Sequence, residues 1–507
     1  MYFLNFLSST KIPNFLFQDF KMEEQTLING ENMMSIDNNI NNGGSVNNLQ
    51  QQDRLSSLPE PLLTKILTHL PLHSAATTSV LSHRWRHRWT KVSRLILDSY
   101  HFHMSHSSHG YLKFAKFSAT VNHILQQVTP PTIRTFFLRY PYPETEDEIE
   151  KWSSFFAIWI RQICSRNPEE LMVTLQPPGE ISPLLTLPAC VFETLSLVKL
   201  ELCGRFVCEF PDNTKNRGFV LPNLKTLELN SVHMSPDLMG KFVKCCPLLE
   251  SLSLDLKWVE NRLVMEISGA NLKFLDVEMN GSSEHSKFLI DAPQLEDIRL
   301  HGCFAYYHFV NNQSTLIEAN LGFHPTTIFQ GKKDNLSCFS VLFGEISSAK
   351  VLHLWDNLDV LNCVNANVLK SFNYLTGLRL TYVSAFKGNP IPACLLAKLK
   401  WIEMDEINGS DNDLKLLKYI LRKAEVLEEV FVKVSFMEVA TDDETDQDLL
   451  WKEIEFCRKL FKLSRKSLTC EIQFSGDYIQ SSSKHSQNGS IVCQVDSLNQ
   501  YELLLQM

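Results

Sequence analysis

PNLKTLEL, Pro222–Leu229, is the stretch on which the fold of this chain turns. A proline closes one segment, Leu224 leads into the next, and the triplet Leu227-Glu228-Leu229 follows. In an extended strand alternate side chains face opposite ways, so Leu227 and Leu229 share a buried face and Glu228 faces water. The same unit returns as PLLESL (Pro247–Leu252) and PQLEDI (Pro293–Ile298). Further apolar-x-apolar triplets stand at Val173–Leu175, Leu200–Leu202, Leu252–Leu254, Leu275–Val277 and Ile298–Leu300. After a gap come Leu352–Leu354, Leu378–Leu380, Ile402–Met404 and Val430–Val432. The steps are 27, 27, 25, 23 and 23 residues before the gap and 26, 24 and 28 after it.

A period of roughly 20–29 residues with one short strand per unit is that of a leucine-rich repeat. One such unit buries its apolar face only by stacking on its neighbours, so the array predicts a continuous solenoid. Each repeat is then one strand plus a helical or irregular return. An unrelated doubly wound α/β domain is the alternative, but it would place Gly-rich turns between strand and helix. None precedes a helix here, and the chain has only 19 glycines.

Toward the N-terminus the pattern changes. From Asp53 to about residue 98 the text is dense in Leu, Ile and Trp at helical spacing. Leu58, Leu62, Ile66, Leu67 and Leu70 fall on one apolar stripe, with Pro61 in the first turn and Pro71 as the stop. Further short helices are expected near Ser74–Leu81 and Arg84–Val92, giving a compact all-helical unit. Before it, Ile36–Gln52 (IDNNINNGGSVNNLQQQ) is too polar to offset its ordering entropy, so residues 1–52 are expected to be disordered. Met22 opens a more ordinary polar start than the apolar residues 1–21. After the unit, residues 99–165 read as a linker and a helical entry. Within them, acids from Glu144 to Glu150 and later Arg161 and Arg166 match the dipole of an amphipathic helix.

Composition narrows the function classes. The 507 residues carry a net charge of -9, which argues against a general nucleic-acid binder. The run His83–Trp89 (HRWRHRW) has the residue types for stacking bases and binding phosphate, but it also serves the helical unit. The 13 cysteines are scattered without a Cys-x-x-Cys pair, so neither a disulfide framework nor a zinc ribbon is expected. His101, His103, His106 and His109 could bind zinc or nickel, though no cysteine or carboxylate nearby completes a fixed shell. No phosphate loop, nucleophile elbow or His-Glu-x-x-His motif occurs, and no cofactor is expected. No stretch reaches the ~20 apolar residues of a membrane span, so an intracellular protein of cytosol or nucleus, with no membrane partner, is the expectation.

The segment DRLSSLPEPLLTKILTHLPLHSAATTSVLSHRWRHRWTKVSRLILDS, Asp53–Ser99, resembles a plant F-box. Leu58-Pro59, Ile66-Leu67 with Leu70-Pro71, and Thr78–Ser82 leading into Arg84-Trp85-Arg86 carry the likeness together. Arg88 departs from it, standing where a hydrophobic residue usually separates the two tryptophans. Leu187–Gly204, Phe219–Ser235, Ile391–Val432 and Lys462–Gly476 are similar to the repeats and C-terminal segment of the plant F-box/FBD/leucine-rich-repeat family. The resemblance implies an F-box at 53–98, leucine-rich repeats at 166–385, FBD-like repeats at 386–476 and a polar tail at 477–507. It also implies a non-catalytic substrate receptor of an SCF-type cullin–RING ubiquitin ligase. The F-box would bind a Skp-type adaptor, and through it a cullin, while the repeats hold a protein target. Docking candidates are then Leu58, Pro59, Leu62, Ile66, Leu67, Leu70, Pro71, Val80, Leu81 and Trp85. Weaker candidates for the target are the outward strand positions Glu201, Glu228, Asp276 and Arg299. A repeat scaffold outside ubiquitination, or a ligand-dependent sensor, are the alternatives.

Overall fold

Each of the ten apolar triplets lies in a strand, and the strands join in one sheet. The computed structural model describes residues 58–99, 110–141, 146–176, 184–208, 221–257, 264–280, 286–311, 313–323, 333–355, 360–381, 391–435, 446–483 and 492–495. The disordered reading of 1–52 and the four histidines at 101–109 lie outside them. Everything described from Pro59 onward belongs to one compact unit.

The sheet has sixteen strands, of which the first fourteen run parallel. Its two inward columns are continuous. One passes through Leu95, Phe136, Leu171, Leu200, Leu227 and onward to Val430 and Ile472. The other passes through Leu97, Leu138, Val173, Leu202 and onward to Val432 and Phe474. All of these side chains are buried. The backbone repeats as strictly. The carbonyl of Val198 accepts both Lys225 N–H (2.8 Å) and Thr226 N–H (3.1 Å). That of Lys225 accepts Glu250 and Ser251 N–H, and that of Glu250 accepts Lys273 and Phe274 N–H. One carbonyl thus sets the register of each incoming strand.

The array is longer than its triplets. Arg94–Asp98 is the first strand, so the stretch read as an all-helical unit ends inside the sheet. The helix expected at Arg84–Val92 is instead a series of turns with one 3-10 turn, Trp89–Lys91. Thr135–Pro141 is the second strand, within the supposed linker, and Glu318–Phe323 fills the gap between Leu300 and Leu352. Past Glu471–Ser475, part of the polar tail forms two antiparallel strands, Ile479–Ser483 and Val492–Val495.

Returns differ in kind. Helices serve some turns, including Glu146–Cys164, Pro236–Lys244, Asp411–Lys423 and Asp446–Phe461. Asp411–Lys423 is fixed at its start by a capping box between Ser410 and Asp413. Elsewhere the return is itself a strand. Val264–Ser268, Lys287–Asp291 and Tyr306–Phe309 form a second, parallel sheet of three. Gly302 makes the turn between Asp297–Gly302 and Tyr306–Phe309 with φ +84°. A Cβ there would sit 2.1 Å from the Met279 carbonyl oxygen, so only glycine fits.

The C-terminal end is closed by a buried acid. Glu453, on helix Asp446–Phe461, is fully buried, and its carboxylate accepts the backbone N–H groups of Asp477 (2.7 Å), Tyr478 (3.1 Å) and Ile479 (3.0 Å). Burial pushes its carboxyl up to about 7, against the pull of those N–H groups toward the ionised form. Glu453→Gln keeps the shape but turns an amide N–H toward donors. We expect it to cost about 2–4 kcal/mol. Denaturant unfolding should show a lower midpoint, and hydrogen exchange should quicken first at 477–483. Unchanged exchange there would show that the acid does not hold the end.

Candidate functional site

The helix Glu60–His69 starts on Pro59, with a second proline in its first turn, and stops where Leu70 turns extended before Pro71. Pro71 in turn caps Leu72–Thr77, which tightens into the 3-10 turn Thr78–Val80. The core of this unit is Leu63, Leu67, Leu72, Ala75, Trp85 and Val92. On the first helix the buried stripe is therefore Leu63 and Leu67, one position round from the stripe read in the sequence.

The docking candidates divide accordingly. Leu67 and Trp85 are 1% and 5% exposed and pack the unit's own core. Leu70 and Pro71 are half-buried. Leu58 lies outside the compact unit and is half-buried as well. Pro59 is exposed, and so are Leu62 (48%), Ile66 (40%), Val80 (85%) and Leu81 (67%). Four large apolar side chains on a unit of about forty residues is more than scattered surface hydrophobics require.

Arg88 has a role that the sequence did not disclose. It is buried, lies 6.0 Å over the Trp85 ring, and donates from Nε to the Arg84 carbonyl (2.6 Å) and from Nη2 to Glu60 Oε1 (2.7 Å). Lys91 reaches the other oxygen of Glu60 at 3.2 Å. The Lys91 hydrogen bond and then the charges of Arg88 and Lys91 hold the Glu60 carboxyl below its usual range. The basic run His83–Trp89 is thus split. Arg84, Arg86 and His87 are exposed, while Arg88 ties the tryptophan turn to the first helix.

The unit is joined to the sheet without a free linker. Thr129 N–H donates to the Thr90 carbonyl (2.8 Å), and Arg134 N–H to that of Ser93 (2.7 Å). Arg166 donates to the carbonyls of Val128 and Leu125 at the end of helix Gly110–Gln127.

On the strand face, Glu201, Glu228, Asp276 and Arg299 stand in one outward row, in register through Ser253. All four are half-buried. Lys199 bridges Glu201 (3.0 Å) and Glu228 (3.5 Å). Burial pushes the Asp276 carboxyl up to about 6, while Arg299 beside it pulls the other way. Arg299 pairs with Asp297 (3.2 Å) and lies 4.9 Å over the Phe274 ring. The row continues through Asn320, His353, Arg379 and Glu403, which the sequence reading omitted although they hold the same position in their strands. Arg379 pairs with Glu318 (3.0 Å) and Glu403 (2.7 Å) and lies over Trp401. Among the described residues no three His, Cys, Asp or Glu side chains converge to hold a metal. Among them, too, no helix is long and apolar enough to cross a membrane.

Comparison with known proteins agrees with this division. The F-box domain profile matches residues 55–97, and the FBD profile matches 389–431. The profile described as "FBD-associated F-box protein At5g56370, LRR repeats" matches 156–319. The class is that of F-box proteins with leucine-rich repeats. F-box/LRR-repeat protein 13 of Arabidopsis thaliana is 25% identical over 431 residues, covering 75% of this chain and 89% of that protein. A probable FBD-associated F-box protein of the same plant is 24% identical, over 83% of this chain and all of its own length. An F-box/FBD/LRR-repeat protein, also from Arabidopsis thaliana, reaches 31% over 45% of this chain and 49% of its own. The chain thus carries matches to the F-box, leucine-rich-repeat and FBD profiles, and it is similar to plant proteins that combine the three.

Proposed function

We propose that this chain is the target-recognition subunit of an SCF-type cullin–RING ubiquitin ligase. The exposed apolar set Leu62, Ile66, Val80 and Leu81, with Pro59 beside it, docks a Skp-type adaptor, which in turn binds a cullin. The observation that carries this reading is that these side chains lie on the surface of the segment matching the F-box profile, while the unit has its own core beneath them. An amphipathic helix offering such a face fits a partner's apolar groove. Leu67 and Trp85 shape that surface from inside. The target sits on the strand face of the repeats, in the row from Glu201 to Arg379. The chain itself is non-catalytic, ubiquitin transfer being the work of its partners, and it acts in cytosol or nucleus.

The test is co-expression of the full chain with a plant Skp-type adaptor, followed by size-exclusion chromatography. A stoichiometric complex is the expected result. A well-folded chain that elutes without the adaptor would replace this reading with that of a repeat scaffold.

A further inference from the structure

The strand face is not electrically uniform. Five strands, from Lys199–Cys203 to Asp297–Gly302, present Glu201, Glu228, Asp255, Asp276, Glu278 and Asp297 outward. Lys199 and Arg299 are the cations of this surface among the described side chains, and each is already engaged, by Glu201 with Glu228 and by Asp297. The hydrogen bonds to Asp255 come from neutral donors, Ser231 Oγ (3.2 Å) and Asn280 Nδ2 (3.0 Å). That to Asp276 comes from Ser253 Oγ (3.4 Å).

A second observation concerns the next strand. Asn320, beside Arg299 in the outward row, is only 6% exposed. Its Nδ2 bonds to His353 Nδ1 (3.0 Å), whose Nε2 meets Thr381 Oγ1 at 2.8 Å. Its Oδ1 has no partner among the described residues. A buried acceptor left unpaired costs free energy that an incoming N–H group relieves. The carboxylates and the orphan oxygen ask for the same thing, a positively charged hydrogen-bond donor.

We propose that the strand face between Glu228 and Asn320 seats a cationic stretch of the target polypeptide, with lysine or arginine side chains against Asp255 and Asp276 and one donor reaching Asn320 Oδ1. The polypeptide nature of the occupant rests on the target-recognition reading; its charge rests on this surface. Burial, with repulsion from neighbouring acids, pushes Glu228 and Asp276 up from the usual carboxylate range, and an arriving cation removes that penalty. Attraction between complementary surfaces raises association rate and excludes acidic competitors.

The probe is a fluorescein-labelled oligolysine, with oligoglutamate as its counterpart, titrated by anisotropy into the full chain at low salt. The variant Asp255→Asn/Asp276→Asn removes two charges while keeping shape, and a thermal melt confirms that it folds. Glu250→Gln/Glu266→Gln removes the same charge from two exposed, lysine-paired acids elsewhere. Wild type should bind oligolysine about tenfold or more tightly than the strand-face variant, roughly a 1.4 kcal/mol difference, and the elsewhere variant should match wild type. Equal binding by wild type and the strand-face variant would overturn the proposal, because attraction would then follow net charge alone. Preference for oligoglutamate would overturn it too. Either failure leaves adaptor capture untouched, so it is distinguishable from failure of the ligase reading.

Discussion

Replacing Val80 and Leu81 together by aspartate is expected to abolish capture of the adaptor while leaving the melting temperature where it was. The two side chains are 85% and 67% exposed, so little packing is lost when they change. Surface substitutions of this kind usually alter stability by under about 0.5 kcal/mol. In the complex, by contrast, two carboxylates would be driven into an apolar interface, and each buried charge without a partner costs several kcal/mol. A loss of about 3 kcal/mol already weakens binding more than a hundredfold. The comparison variants are Leu67→Ala and Trp85→Ala, which act from the core. They should lower the melting temperature and weaken capture together, through about 2–5 kcal/mol of lost packing. Pull-down with the purified adaptor, beside a thermal melt of each variant, separates the two patterns. If the aspartate pair binds as wild type does, the adaptor surface lies elsewhere.

Trp159→Ala is expected to be the most damaging single change in the first turns of the solenoid. Trp159 is fully buried on helix Glu146–Cys164, with ring centroids 5.8 Å from Trp152 and 6.3 Å from Phe117. Its Nε1–H donates to Asn122 Oδ1 at 2.7 Å. Removing a buried tryptophan costs about 3–5 kcal/mol. The half-buried Asn122 then loses a partner, which adds about 1 kcal/mol. Phe117, Phe114, Tyr140 and Trp152 form one aromatic cluster, so the vacated volume has rigid walls and closes poorly. In a repeat array the damage is local, because each turn contacts only its neighbours. Hydrogen exchange should therefore rise at 114–175 before it rises at 400–475. Uniform exchange across the chain would show that the array unfolds as one body instead.

How much could be read from the sequence depended on what filled each inward column. Leu227 and Leu229 announce a strand because leucine fills both columns. Glu318–Phe323 was missed because Ala319 fills one of them. Thr135–Pro141 escaped although Pro131-Thr132-Ile133 leads into it as Pro222-Asn223-Leu224 does elsewhere, because Phe136 stands where the other units have an aliphatic residue. Arg94–Asp98 was hidden by its neighbourhood, a strand at the end of text with helical spacing. In the F-box, Leu62 and Leu63 are adjacent, so two stripes can be drawn on that helix, and only packing decides which faces inward. The outward row from Glu201 to Arg299 followed from strict alternation. Arg88 and Asn320 could not be found that way, since their importance lies in partners or missing partners far along the chain.

The strand Arg94–Asp98 is at once the end of the F-box segment and the first rung of the sheet. Neighbouring rungs are spaced by about 4.8 Å, and nothing pliable intervenes where the two parts join. If the F-box docks a ligase adaptor as proposed, the chain is a ruler with the ligase fixed at its zero mark. On that reading the distance from a captured protein to the ubiquitin donor would be counted in rungs, and adding or deleting one whole turn would change which lysines of the target come within reach without altering a single contact to it.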